Sequence, residues 1–321
     1  MAPSDLQNPK RMLEDSTRAK SMYTVIPCDE FVTLDIPPQE YVLSPWLPKQ
    51  GLAMIYADRG IGKTFFALEI ALSVALGTRF LNWEAPEKRR VLYLDGEMQL
   101  NQLQDRIKQL VSHHNNWSPR NLHLMPCGAQ AQGMPDLSLR KSQELLNPYV
   151  DEADLIVIDN ISTLCRTGAE NEAESWIPVQ EFLLRLRADG KTVLLVHHAG
   201  KGGSQRGTSK REDVLDTVIH LKRPETYTAE QGARFEVNFE KARNFAGEEA
   251  QTQIVQLVNT ATGLDWQSDG PKETTYEKVV KQLNLGASQA ETAQHIGIST
   301  SGVSRHAQRA RQAGLLINLS T

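Results

Sequence analysis

The chain has 321 residues, 40% of them hydrophobic and 23% charged, with a formal net charge of −4. That balance suits a globular protein and excludes fibrous and low-complexity classes. No apolar run approaches the ~18 residues of a membrane-spanning helix, and the first twenty residues, MAPSDLQNPKRMLEDSTRAK, place no apolar stretch after their charges as a secretory signal would.

No membrane partner is therefore expected. Cys28, Cys127 and Cys165 form an odd set without C-x-x-C spacing, which argues against a disulfide scaffold or a cysteine zinc site and for a reducing, cytoplasmic setting. From Pro271 onward, six Lys/Arg face three Asp/Glu, whereas the remainder is acidic. A basic tail on an acidic body is where charge-driven contact with nucleic acid would begin.

In chain order, residues 1–40 mix charges with Pro27, Pro37 and Pro38 and show no sustained period. They read as a flexible arm, with a short helix near Leu13. From Gly51 short apolar runs alternate with amphipathic stretches. The strands are LAMIYA (52–57), VLYLD (91–95), DLIVID (154–159) and TVLLVHH (192–198), and the intervening helical segments include TFFALEIALSVALG and WIPVQEFLLRLRADG. Buried strands alternating with helices predict a mostly parallel α/β sheet. VIHLKRP, ARFEVNFEKAR and QTQIVQLVN read as further strands at its edge. The expected layout is a large α/β domain over 41–265, a linker over 266–273 and a helical domain over 274–321.

The strongest motif is Ala57-Asp58-Arg59-Gly60-Ile61-Gly62-Lys63-Thr64, set between a strand and a helix, with Phe65 following. This is the context of a phosphate-binding loop, apart from Ala57 standing at the first glycine position. Backbone N–H groups at a helix N-terminus would cradle phosphate oxygens. Lys63 would reach the β and γ phosphates, and the Thr64 hydroxyl would ligate Mg²⁺. ATP and Mg²⁺ are the expected cofactors. Asp159 ends an apolar strand where an acid would orient the metal's water shell, and Asn160 beside it could assist or cap a turn. Asp95 and Glu97 at another strand end are candidates for activating water. His197 and His198 end a fourth strand, ahead of a Gly/Ser/Lys/Arg loop. They could sense a γ-phosphate or simply cap the strand.

ADRGIGKT, YLDGEM, LIVIDN, LLVHHAGKG with QRGTS, and EKARN together resemble the RecA-like ATPases, nearest to the hexameric RepA-type and DnaB-type replicative helicases of plasmids and phages. The resemblance spans about residues 40–260. It implies a RecA-like core, Glu97 as the water-activating base and His198 as the γ-phosphate sensor. It also implies ATP sites between subunits of a homo-oligomer, completed by a neighbour's arginine finger. Arg243, with Lys241 as companion, is the preferred finger, and Arg206 is the other candidate. Loop residues Lys201, Lys210 and Arg211 would track single-stranded DNA through the ring.

Residues 274–321 read as a winged helix-turn-helix. Ala293, Gly297 and Val303 have the spacing of a small contact residue, a left-handed turn and a branched core residue. Ser299 would cap the second helix and Gly314 would end it. That helix would offer Thr300, Ser301, Ser304, Arg305 and Gln308 to duplex DNA, with Arg309 and Arg311 near phosphates. A small protein-interaction module is the competing reading. The expected function is an ATP-dependent DNA helicase of a plasmid, phage or mobile element. The alternative is an ATP-switched DNA-binding regulator or replication initiator that does not unwind.

Overall fold

A computed structural model describes residues 24–112, 114, 120–166, 176–200, 212–261, 263–271, 275–312 and 315–316. The chain divides into two units, residues 1–40 and 41–321. The described part of the first holds one helical turn, α1 (Cys28–Phe31); the helix expected near Leu13 falls outside the described residues.

In the second unit a short β-ladder, β1 (Tyr41–Leu43) with β2 (Leu47–Pro48), precedes β3 (Leu52–Ala57) and α2 (Lys63–Leu76). A second small ladder, β4 (Arg79–Phe80) with β5 (Trp83–Glu84), leads to β6 (Val91–Asp95) and α3 (Leu100–Val111). Then come β7 (Leu122–Pro126), α4 (Arg140–Val150), β8 (Leu155–Asp159) and α5 (Ile161–Leu164). α6 (Ile177–Ala188), β9 (Thr192–His198), β10 (Thr217–Lys222) and β11 (Arg234–Ala242) follow. β12 (Gln253–Thr260) and β13 (Gly263–Pro271) end the sheet region.

Nine strands form one sheet in the order β13-β12-β11-β10-β3-β9-β8-β6-β7. The six from β10 to β7 run parallel, and β11, β12 and β13 continue it antiparallel. This is the α/β architecture expected from the sequence, a large mostly parallel sheet flanked by helices and consistent with a RecA-like P-loop core. The central strands β3, β6 and β8 are buried at every position, which is why they read as unbroken apolar runs. α2 and α3 pack on one face with Phe66, Ile70, Leu103 and Leu110. α4, α5 and α6 cover the other with Leu146, Leu164, Phe182 and Leu186.

The expected linker is a correction. Residues 266–271 are the second half of β13, paired to β12 through Leu257↔Trp266, Gln256↔Gln267 and Val255↔Ser268. Trp266 is buried against Phe66, Phe80 and Phe235, with ring centroids 5.4–6.0 Å apart. The polar residues between are what an edge strand turns to solvent, so composition alone mimics a linker.

Beyond the sheet, α7 (Thr275–Asn284), α8 (Gln289–Ile296) and α9 (Thr300–Gln312) pack around Val279, Ala293 and Val303. Ser288 and Glu291 form a capping box at the start of α8, satisfying two otherwise orphaned N–H groups. Gly297 turns the chain at φ 77°, and the Ser299 hydroxyl accepts from Gly302 N–H at 3.1 Å. Among the described residues no strand follows α9, so the expected wing is not found there; Gly314 and residues 317–321 lie outside them. No helix among the described residues is long and apolar enough to cross a membrane.

Candidate functional site

The C-terminal ends of the parallel strands gather the motif residues into one place. After β3 the loop 58–62 turns into α2, with Gly60 and Gly62 at φ 73° and 114°. Ile61 is buried and anchors the loop, while Asp58 and Arg59 are exposed. Gly62 is held closely: an added Cβ would sit 2.8 Å from Ala233 Cβ. Lys63 is buried, and its ammonium donates to the carbonyls of Ala57 (2.9 Å) and Asp58 (2.7 Å). Burial lowers its pKa to about 8 against the pull of Asp159, Glu97 and Asp58. Arg223 braces the loop from outside, donating to the carbonyls of Gly232 (2.6 Å), Arg234 (3.0 Å) and Gly60 (3.4 Å). Phe65, counted in the sequence among the nucleotide residues, packs its ring against the core under the Arg106 guanidinium, 4.6 Å away.

Asp159 ends β8, and its carboxylate is buried. It accepts from the Tyr93 hydroxyl at 2.6 Å and from the Thr64 side chain. Burial raises its pKa despite these two donors. Asp95, opposite it in the β6–β8 register, is pushed to about 6, first by burial and then by the charge of Asp159. Met98 N–H donates to both Asp95 oxygens at 3.3 Å. Gly96 N–H donates to Asp159 O at 2.7 Å, and a Cβ there would meet Thr163 Oγ1 at 2.4 Å. Glycine is thus required where the two strand ends meet.

Glu97 is exposed. Its Oε2 accepts from Asn160 Nδ2 and lies 3.6 Å from His198 Nε2. Asn160 is buried, stands 3.3 Å from the same His198 nitrogen, and caps α5 by accepting from Thr163 N–H at 3.2 Å. Burial and the Lys63 charge lower the His198 pKa, favouring the neutral ring. Residues from β3–α2, β6, β8 and β9 therefore converge, bringing Lys63, Thr64, Asp159, Glu97 and His198 together. Tyr93 and Arg223 were not singled out in the sequence: one looks like a core aromatic, the other like surface charge.

Other candidates do not join this cluster. Thr217 pairs with both Ala53 and Ala242, and Arg243 N–H donates to Asp216 O beside Leu52. Arg243 therefore sits at the start of β3 and the loop at its end, roughly 16 Å apart at about 3.3 Å per residue. Its guanidinium donates to Asp213 O at 2.9 Å, and Lys241 donates to Glu212 O. Within one chain neither reaches the Lys63 site. Lys201, Arg206, Lys210 and Arg211 lie outside the described residues. Thr300, Ser301, Ser304, Arg305 and Gln308 are all exposed on α9.

The comparison with known families bears on this cluster directly. A family model described as an AAA domain matches residues 18–204. The chain belongs to this AAA domain family. Its P-loop is thus an ATPase-type loop, of the kind found in proteins related to RecA-like replicative helicases. The matched span runs from before β1 to just past β9 and holds every residue of the cluster. No curated protein matches the chain. Strands β10–β13 and helices α7–α9 of this AAA domain protein lie beyond the matched residues.

Proposed function

We propose that the protein is an ATP- and Mg²⁺-dependent motor that separates or translocates along DNA strands. The supporting observation is the meeting of Glu97, Asn160 and His198 beside the Lys63 ammonium, because binding alone needs no such water-side cluster. Lys63 and the N–H groups at the start of α2 would hold the phosphates. The Thr64 hydroxyl and Asp159 carboxylate would hold Mg²⁺. They are hard oxygen donors, and the adjoining Asp95 gathers negative charge that suits a divalent cation. The bound ion would neutralise phosphate charge. Glu97 would take the proton of the attacking water, held in place by Asn160, and His198 would sense the γ-phosphate. Arg243, too far from its own P-loop, would act on a neighbour's site in a homo-oligomer, a hexamer in our reading. Loop residues 199–213 would meet single-stranded DNA, and α8–α9 would present Arg305 and Gln308 to duplex DNA as a helix-turn-helix. Plasmid or phage replication, in the cytoplasm, is the setting proposed.

The exposed polar face of α9 also supports a second reading, an ATP-switched regulator that binds duplex DNA without unwinding it. Strand separation of a forked DNA by purified protein with Mg·ATP distinguishes the two. The motor reading predicts unwinding that disappears in Glu97→Gln. ATP turnover without unwinding, together with tight duplex binding lost on removing residues 275–321, would favour the regulator.

A further inference from the structure

Tyr93 is fully buried and ties β6 to the Asp159 carboxylate at the end of β8. Val157 faces it across the ladder, and Asp159 lies two residues further along β8. Two residues of strand advance about 6–7 Å, which a tyrosine ring spans and an aliphatic side chain does not. Its hydroxyl arrives 2.6 Å from Asp159 Oδ2. A phenylalanine would fill the same space among Val157, Phe66 and the other residues of that core, so the hydroxyl oxygen contributes aim rather than packing.

From this geometry we propose that Tyr93 is a positioning residue for metal binding. Its hydroxyl occupies Asp159 Oδ2 and fixes the carboxylate plane, leaving the remaining acceptor positions to Thr64 and the Mg²⁺ water shell. Outer-sphere partners of this kind orient ligands, and losing one typically lowers metal affinity about 10–100-fold. The proposal rests on reading Asp159 as the metal-side acid.

The test is a Mg²⁺ titration of fluorescent ATP-analogue binding, in wild type and Tyr93→Phe. Affinity in EDTA should be the same for both. The Mg²⁺ concentration at half-saturation should rise about tenfold or more in the variant. In an Asp159→Asn background, Tyr93→Phe should add no further shift, because the hydroxyl acts through that carboxylate. An unaltered Mg²⁺ midpoint, or an equal shift in the Asp159→Asn background, would overturn the proposal. Where Tyr93→Phe fails to fold, the native position is read instead, by the ¹⁹F resonance of 3-fluorotyrosine at residue 93. The resonance should move when Mg²⁺ is added to the ATP-loaded protein, and its failure to move would count against the proposal. Wild-type protein that binds no nucleotide would refute the functional reading and this proposal together. Wild-type binding with an unchanged variant refutes the proposal alone.

Discussion

At Gly62 two constraints coincide, a φ of 114° and the Ala233 methyl 2.8 Å from where a Cβ would stand. Gly62→Ala should therefore destabilise the protein by about 1–3 kcal/mol and displace the N–H groups meant for phosphate. Parallel thermal melts and nucleotide titrations would check both effects; a variant as stable and as tight-binding as wild type would contradict this account of the loop. Asn160 carries two duties, capping α5 and holding Glu97. Asn160→Ala should lose about 1 kcal/mol from the cap and lower ATP turnover more than ATP affinity. Equal losses in kcat and in affinity would mean that it serves only the fold. Lys63 and Thr64 stand out in the sequence as the end of a glycine loop between a strand and a helix, Asp159 as the last residue of an apolar run, and Glu97 as an acid just past another. Tyr93 does not: its partner lies 66 residues away, and nothing local separates it from any other core aromatic.

Between elements, a partly buried pair links the P-loop helix to the chain after α3. His114 Nε2 lies 2.9 Å from Glu69 Oε1 on α2. The Glu69 hydrogen bond raises the His114 pKa, partly opposed by burial, with Asp265 of β13 adding a smaller pull the same way. A raised histidine pKa stabilises the folded chain fully below the unfolded value near 6.5, and that stabilisation fades as pH climbs through the folded value. His114→Ala should thus lose about 1–2 kcal/mol at pH 6 and distinctly less at pH 9. Denaturant melts at the two pH values test this, and an equal loss at both would disprove it. The same scale explains which elements could be read. β3, β6, β8 and β9 are covered on both faces and announce themselves as apolar runs. β7, LHLMP, lies at the sheet edge with two exposed positions, and α4 carries Pro148. Neither keeps a clean period, and neither was anticipated. The second half of β13 reads as a linker because its outward residues are Gln267 and Asp269, the latter held by Arg234 at 2.8 Å.

At the scale of the whole molecule, the separation of Arg243 from the Lys63 loop of the same chain gives the proposed homo-oligomer a testable consequence. A Lys63→Ala chain keeps Arg243, and an Arg243→Ala chain keeps its loop. Each alone should be inactive, whereas mixed and co-assembled they should regain a measurable fraction of ATP turnover. No recovery on mixing would remove Arg243 from the site. The antiparallel extension β11–β13 that carries Lys241 and Arg243 lies outside the matched family region, so its contribution has to be measured on this chain. The central claim is that Glu97 handles water while Lys63, Thr64 and Asp159 hold the nucleotide. Its most direct test compares Mg·ATP binding and steady-state hydrolysis in wild type and Glu97→Gln. The account predicts nearly unchanged binding with turnover reduced about 10²–10⁴-fold; hydrolysis at the wild-type rate in Glu97→Gln would contradict it.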